Sequence, residues 1–457
     1  MQIIVNRVQS IRYRNPKKDL RLIAVTGDIG KTTTATILAS ILESQGKKVG
    51  LGTSLEFKAG KESEQNTDHT TINSPSSLLA FLKTLSAIEV DVAIVEIAPD
   101  DLGSGKFVGL SPDTLVVTNL DLDDDSEDRV AGICKSLSSD TKVILNRDDE
   151  ASGYFLRYIE AANLMTYGEN PEARVRIIKG SIAKTGSTAE LDFNGTKINL
   201  SISILGQFNV YNCMAAAATA LHLGIPIGSI EEGVGKTRDI KGQMEILKIK
   251  GNKTTVIIDN ASSGKAFSSV LSTVRGMFDN GKLITVFGSP GGVDEDERAE
   301  LGWAVAQHSD HMVITDQEPQ DEDPLQIIRH IRGGVGSSQD INVIEEVNRK
   351  KAIEIALRMA KKSDVVLISG LGYQTYRQVK GSKYAWDDRD IVSSFFEDNF
   401  RKPSSPKSIK KKTTSKKSTK PKTQPKKAIV KKKNSTNSTK NTKKKTSTKK
   451  SASRKKK

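Results

Sequence analysis

The sequence predicts an α/β protein with a mostly parallel sheet in a central domain, a second α/β domain and a disordered basic tail. Three observations support this prediction. Short β-branched stretches alternate with helical stretches between residues 22 and 369, a glycine-rich turn joins the first strand to the first helix, and the composition changes sharply near residue 400. Strands that alternate with helices need crossover connections, and crossovers produce parallel strands.

The predicted segments follow one another along the chain. They are a short N-terminal extension (1–20), a central domain (21–238), a C-terminal domain (239–400) and a tail (401–457). The tail is rich in Lys, Ser, Thr and Pro and nearly free of apolar residues, so it cannot bury enough surface to offset its ordering entropy.

Apolar, β-branched stretches mark the expected strands. In the central domain these are 22–26, 48–53, 90–97, 114–118, 142–145 and 176–178, and in the C-terminal domain 254–259, 283–287, 311–315, 341–344 and 365–369. Helices are expected at 32–45, 76–86 and 206–223. The polar stretch 58–74 is expected to be a mobile loop.

Charge is distributed very unevenly. Residues 401–457 hold 25 of the 70 basic side chains and none of the 55 acidic ones, which leaves residues 1–400 with 45 basic, 55 acidic and a net charge of −10. The two cysteines match no metal or redox spacing, and no apolar run resembles a signal peptide or a membrane span. These features predict a cytoplasmic protein.

A phosphate-binding loop is the strongest local signal. The stretch LIAVTGDIGKTTT (22–34) runs from a strand through a glycine turn into a helix. Gly27 and Gly30 would let backbone N–H groups approach phosphates, Lys31 would contact the β- and γ-phosphates, and the Thr32 hydroxyl would face Mg²⁺.

Glu96 ends the apolar strand VDVAIVEI. Ligands of open parallel sheets bind at the carboxyl edge, so a carboxylate there is placed to hold Mg²⁺ or a water. The alternative is a solvated acid at a strand end.

The order of further motifs resembles the Mur ligase family, and within it the enzymes that add the third residue to UDP-MurNAc-dipeptide. The resemblance spans about residues 18–400. The matching segments, in chain order, are TGDIGKTTT, HTTINSP, VEIAPDDL, TNLDLDDD, LNRDDE, LGQFNVYNCMAA, GQME, DNASSG, TDQEPQDEDP, SGLGYQTY and DDRD.

That resemblance implies a central phosphate-loop ATPase domain followed by a Rossmann-like ligase domain. It implies ATP and Mg²⁺ as cofactors, and an amide ligase that joins an amino acid to a nucleotide-linked cell-wall peptide through an acyl phosphate. Lys31 and Glu96 would be the catalytic residues, and Thr32 and Glu96 would hold magnesium.

The resemblance also assigns binding residues. Thr33 would join the phosphate loop, Asn209 and Asn212 would lie near the adenine, and Asp259 would hold the ribose or orient the nucleotide. Thr70 and Thr71 in HTTINSP would contact the acceptor substrate.

Several positions depart from the family pattern. Asp124 stands where the family has a magnesium-binding histidine, and it is either a ligand or part of an acidic surface loop. Lys135 is the candidate for the family's carbamylated lysine. The other altered positions are Gln243 for Arg, Ser262 for His, Val293 for Arg, Gln320 for Arg, Leu371 for Lys, and Tyr373-Gln374 for His-Glu.

These departures leave three interpretations open: an active amide ligase, a degenerate relative that binds nucleotide without forming an amide, and a plain ATPase or GTPase with a nucleic-acid-binding tail. About twenty residues precede the first strand, where the family carries a UDP-binding domain. Loss of the arginine at Gln320 argues against a diaminopimelate-type substrate and leaves lysine and smaller residues open. The tail either contacts polyanions or only aids solubility.

Overall fold

The computed structural model describes residues 20–107, 110–122, 126–183, 186–249, 254–278, 280–336 and 341–400, without the side chains of 399 and 400. Asp124, the predicted tail and residues 1–19 of the predicted N-terminal extension lie outside these ranges.

The first sheet contains eleven strands. They are β1 (Arg21–Thr26), β2 (Val49–Gly52), β3 (Glu56–Ala59), β4 (Glu62–Gln65), β5 (Val92–Glu96), β6 (Thr114–Val117), β7 (Lys142–Asn146), β8 (Leu164–Gly168), β9 (Val175–Ala183), β10 (Gly186–Phe193) and β11 (Thr196–Ile202). Their spatial order is β11-β10-β9-β8-β7-β6-β1-β5-β2-β3-β4. The pairs from β2 through β5, β1, β6, β7 and β8 to β9 are parallel, and the outer pairs at both ends are antiparallel.

The second sheet contains six strands in the order β12-β13-β17-β14-β15-β16. They are β12 (Glu245–Ile246), β13 (Thr255–Ile258), β14 (Leu283–Phe287), β15 (His311–Ile314), β16 (Asn342–Glu345) and β17 (Val365–Ile368). All its pairs are parallel except β12 with β13. A separate hairpin consists of β18 (Tyr376–Val379) and β19 (Ser382–Ala385).

Helices connect the strands. They are α1 (Lys31–Ser44), α2 (Pro75–Ala87), α3 (Pro99–Gly103), α4 (Ser126–Lys135), α5 (Ser152–Tyr158), α6 (Gln207–His222), α7 (Ile227–Lys236), α8 (Gly264–Met277), α9 (Glu295–His308), α10 (Pro324–Gly333), α11 (Arg349–Met359) and α12 (Asp388–Phe400). Among the described residues, no helix combines the length and the apolarity needed to cross a bilayer.

Each sheet has a hydrophobic core on both faces. On one face of the first sheet, α6 is buried along its alanines at 215–218, whose small side chains allow the helix to pack closely. The central strands β1, β5 and β6 are buried except at Arg21, the first residue of β1, as expected when helices cover both faces of a parallel sheet.

The predicted α/β class with a large, mostly parallel sheet and a second sheet is confirmed. The expectation of a loop across 58–74 was wrong for its first part, because β3 and β4 form an antiparallel hairpin at the sheet edge. β4 (ESEQ) is largely exposed, so it lacks the apolar residues by which buried strands are recognised. The predicted domain boundaries remain a prediction.

A buried ion pair joins the start of α11 to the start of α12 beside the second sheet. The Arg349 guanidinium donates to both oxygens of Asp388, at 3.0 and 2.7 Å, and to the Ser369 backbone oxygen at 2.9 Å. Both charged side chains are fully buried. Because an unpaired charge there would be costly, this contact fixes the DDRD segment against the end of β17.

Candidate active site

One cavity of about 340 Å³ lies where loops from both sheets meet. The first sheet contributes the segment after β1, Ser54 after β2, and Glu96 at the end of β5. The second sheet contributes residues 259–263 after β13 and the start of α8. Both sets follow the carboxyl ends of parallel strands, the edge at which open α/β sheets bind ligands.

Two glycines, Gly27 and Gly30, form the tight turn of the phosphate loop, here called the glycine cradle. Gly30 precedes α1 at φ 87°, and a β-carbon there would lie 2.2 Å from the Asn212 side-chain oxygen. Gly27 has φ 135°, and a β-carbon there would lie 2.0 Å from the Thr118 hydroxyl. Only glycine fits both positions, which leaves the backbone accessible to a phosphate at the helix N-terminus.

The segment after β6 holds this loop in shape. The Asn119 side chain accepts from the Ile29 N–H and donates to the Ile29 oxygen, both at 2.9 Å. The Thr118 hydroxyl donates to the same oxygen at 2.7 Å. The TN pair of TNLDLDDD therefore fixes the phosphate loop through its side chains.

Lys31 folds back over the loop. Its ammonium group donates to the backbone oxygens of Gly27 at 2.6 Å and Asp28 at 3.1 Å. Among the described residues that line the cavity, Lys31 is the only Lys or Arg. The attraction of this cavity for phosphate therefore depends mainly on Lys31 and on backbone N–H groups.

A group of oxygen atoms surrounds Glu96. Its Oε2 accepts from the Thr32 hydroxyl at 2.9 Å, from the Ser54 N–H at 3.0 Å and from the Ser54 hydroxyl at 3.3 Å. Glu96 and Thr32 are both buried. Mg²⁺ prefers oxygen ligands such as hydroxyls and carboxylates. Thr32, Ser54 and Glu96 therefore fit that ion.

The second sheet contributes Asp259. Its two oxygens accept the backbone N–H groups of Met244 at 2.9 Å and Ala261 at 2.7 Å. Burial raises the pKa of this carboxyl group. Asp259 thus connects the end of β13 to the GQME turn, while its assignment to the ribose remains a prediction.

The asparagines of FNVYN form a buried chain. The Asn209 amide donates to the Leu205 oxygen at 2.6 Å, and the Asn212 amide donates to the Asn209 side-chain oxygen at 2.8 Å. Asn212 lines the cavity. Asn209 is not part of the lining and accepts the hydrogen bond that orients the Asn212 amide. Gln243, which is predicted to stand where the family has an arginine, accepts a hydrogen bond from the Thr33 hydroxyl.

Acidic side chains lie beside the phosphate loop. Asp28 accepts the Asp121 N–H at 2.5 Å, and burial raises the pKa of Asp28. Burial also raises the pKa of Asp149 to about 6, with the charges of Asp121 and Asp28 adding to the rise. Lys265 of α8 lies 3.0 Å from Asp121 and balances part of this charge.

The structure brings most of the residues predicted from the sequence to one cavity. Its lining includes Gly30, Lys31, Thr32, Thr33, Thr71, Glu96, Asn212 and Asp259. Gly27 shapes the loop from behind, and Thr70 borders a neighbouring cavity. Lys135, at the end of α4, is exposed and does not line the cavity.

The cavity lining also includes residues that the sequence did not assign to the site, among them Ser54 and His69, while Gln243 and Tyr373 were identified only as departures from the family pattern. Ser54 carried a weak signal, because it directly follows the expected strand 48–53. His69, Gln243 and Tyr373 lie within motif segments, but only tertiary contacts bring them to the cavity.

Two family descriptions match this chain. Residues 25–220 match the Mur ligase middle domain, and residues 242–372 match the Mur ligase glutamate ligase domain.

Curated relatives match over most of their length. The UDP-N-acetylmuramoyl-L-alanyl-D-glutamate–2,6-diaminopimelate ligase of Bacillus velezensis is 32% identical over 397 residues, which is 83% of this chain and 79% of that protein. The enzyme of the same name from Aquifex aeolicus is 32% identical over 391 residues, covering 83% of this chain and 78% of that protein.

Solved structures share the fold. A 2,6-diaminopimelate ligase of the same name has a TM-score of 0.58 at 24% identity and covers 84% of this chain and 79% of its own. Folylpolyglutamate synthase from Mycobacterium tuberculosis, complexed with ADP, has a TM-score of 0.64 at 17% identity and covers 81% and 90%.

Gly30→Ala tests the glycine cradle. Its new β-carbon would displace Asn212 and strain the loop, so we expect MgATP affinity to fall by about tenfold or more. Gly46→Ala is the matched control, because Gly46 has φ 80° and open space around its β-carbon position. Isothermal titration should show nearly unchanged affinity for the control. Equal losses in the two variants would refute a role for the cradle.

Proposed function

This chain belongs to the Mur ligase family, and we propose that it is an ATP-dependent ligase that joins an amino acid to the carboxylate of a nucleotide-linked cell-wall peptide. The observation that carries the proposal is the group formed by Lys31, Thr32, Ser54 and Glu96, which faces the second sheet across one cavity. The relatives are named for the acceptor UDP-N-acetylmuramoyl-L-alanyl-D-glutamate, and we propose this acceptor here.

The chemistry needs two successive transfers. An acceptor carboxylate oxygen attacks the γ-phosphorus of ATP, and ADP leaves. The amino group of the incoming amino acid then attacks the acyl carbon, loses a proton and displaces phosphate, which carries away one of the original carboxylate oxygens. Both steps depend on positioning and on neutralising the phosphoryl oxygens.

Residues of this cavity can supply both requirements. The Lys31 ammonium, now held by two loop carbonyls, would move its hydrogen bonds to the phosphates. Thr32 and Glu96 would hold Mg²⁺, which when bound neutralises phosphate charge. The glycine cradle presents backbone N–H groups where the transferred phosphate must lie.

The altered positions bear on the choice of amino acid. Gln320 carries no charge, and its backbone oxygen accepts the Lys380 N–H at 2.8 Å, which joins it to the β18–β19 hairpin. Without an arginine there, a second substrate carboxylate loses its partner, so we propose lysine or a smaller amino acid rather than diaminopimelate.

A phosphate-release assay tests the function. Purified protein, ATP, Mg²⁺ and UDP-N-acetylmuramoyl-L-alanyl-D-glutamate would be mixed in turn with meso-diaminopimelate, L-lysine, L-alanine and glycine. We expect release that needs both the acceptor and one particular amino acid, and that Lys31→Ala reduces by at least about a hundredfold. Lys362→Ala, an exposed lysine away from the cavity, should match the wild type.

Other outcomes would redirect the proposal. Nucleotide binding without amino-acid-dependent release would favour a nucleotide-binding protein that has lost the ligase chemistry. Phosphate release that requires neither the acceptor nor an amino acid would indicate a plain ATPase. Strongest turnover with diaminopimelate would refute the inference drawn from Gln320 and leave the ligase intact.

We further propose that the basic tail binds polyanions and that the protein works in the cytoplasm, where ATP and free thiols such as Cys134 and Cys213 are maintained. Residues 401–457 carry 25 basic and no acidic side chains, so binding would release counterions. They contain no Phe, Trp or Tyr, which argues against base stacking.

Retention on heparin tests the tail. The full chain should bind and elute with rising salt, and a chain ending at residue 400 should pass through. Salt-independent retention, or equal retention of both chains, would contradict the proposal.

A further inference from the structure

One edge of the first sheet is left open beside β9. This strand pairs with β10 along its length, but on its other side it pairs with β8 only at Val175 and Arg176. Within the described part of the chain, no strand pairs with residues 177–183 on that side. An open edge presents backbone N–H and C=O groups, to which another extended chain can add as a further strand.

Two isoleucines on this edge are exposed to solvent. Ile178 is 49% exposed and Ile182 is 45% exposed. They flank Gly180 at intervals of two residues, so the three positions line one face of the strand. A β-carbon at Gly180 would lie 3.3 Å from the Ile177 side chain, which packs against the core that α6 covers. The exposed isoleucines therefore lie on the α6 side of the sheet.

Two hollows adjoin the edge on this side. One, of about 510 Å³, lies between residues 177–182 and the start of α6. The other, of about 480 Å³, lies between Ile182 and the last turns of α8. Because Ile182 and Gln207 line both hollows, the two are continuous along the edge. The side chains of an added strand would have room there.

The edge is complementary to a second copy of itself. When two copies pair antiparallel about Gly180, Ile178 of each copy lies opposite Ile182 of the other. The twofold axis is then perpendicular to the sheet, so these apolar pairs form on one face. Lys179 lies opposite Ser181, which avoids placing two lysines together. The two Gly180 residues meet at the centre, and glycine allows two backbones to approach closely.

The ends of the edge leave space for this pairing. β8 ends at Gly168, which lies opposite Arg176. A partner strand that pairs with residues 178–182 therefore stops two positions before it reaches β8. Natural edge strands are commonly blocked by proline or by charged side chains. Residues 177–183 contain no proline, and Lys179 is their one charged residue.

We propose that this protein forms a twofold dimer in which residues 178–182 of β9 pair antiparallel with the same residues of a second copy. The two eleven-stranded sheets then become one continuous sheet. The pairing covers the exposed isoleucines of both copies and supplies partners for the backbone groups of both edges. Five residue pairs bury less than the roughly 1,200 Å² of a stable interface, so we expect a weak dimer whose population depends on protein concentration.

Sedimentation velocity of the full chain at about 1 to 200 μM tests this dimer. The wild type should shift with concentration from the mass of one chain, 49.7 kDa, toward twice that mass. Ile178→Glu places a carboxylate opposite an isoleucine, so we expect the dissociation constant to rise by about tenfold or more. Ile88→Glu is the matched control, because Ile88 is exposed after α2 and lines neither hollow, and it should match the wild type.

Opposite charges test the register. Ile182→Lys alone should weaken the dimer as Ile178→Glu does. The double variant Ile178→Glu/Ile182→Lys places each glutamate opposite a lysine of the other copy. It should therefore regain most of the lost association, and that recovery would also show that the substituted chain folds.

A wild type that stays monomeric across the concentration range, or that dimerises no better than Ile178→Glu, would overturn this inference. A double variant as impaired as the single variants would show that the strands do not pair about Gly180, and would overturn it too. An equal loss in Ile88→Glu would assign the effect to added charge and not to this edge.

Discussion

The hydrogen bonds that converge on the Glu96 carboxylate are the interaction on which the site depends. Glu96 is 3% exposed, and an ionised carboxylate at such a place needs donors or a cation. Thr32 and Ser54 supply the donors, so the first turn of α1, the end of β2 and the end of β5 are held at one point. The parallel order β2-β5-β1 brings these ends together.

The second sheet shapes the cavity with hydrogen-bonding groups rather than with cations. Both carboxylate oxygens of Asp259 accept backbone N–H groups, and the Gln243 side chain accepts from the Thr33 hydroxyl. Leu371, where the family pattern is predicted to have a lysine, is a buried apolar side chain. Positive charge in the cavity lining described by the structure is therefore concentrated on Lys31. A phosphoryl transfer site with one lysine must rely on magnesium, backbone N–H groups and close positioning.

Much of the fold could be predicted from local pattern. Apolar β-branched runs identify the central strands, and the strand-turn-helix around Gly30 identifies the phosphate loop. The β3–β4 hairpin was missed because its polar edge strands lack an apolar signature. Ser54 and His69 were not predicted as site residues, because Ser54 meets Glu96 only through the parallel pairing of β2 with β5, and His69 meets Tyr373 only through the contact between the two halves of the chain. Local sequence predicts which residues end strands, whereas topology decides which of them meet.

The transfer of oxygen from the acceptor to phosphate tests the central claim most directly. UDP-N-acetylmuramoyl-L-alanyl-D-glutamate labelled with ¹⁸O in its carboxylates would be incubated with ATP, Mg²⁺ and the amino acid that supports turnover. Amide formation through an acyl phosphate predicts that each released phosphate carries one acceptor oxygen, which mass spectrometry detects. Phosphate released without label would show that water attacks ATP, and would contradict ligase chemistry at this site.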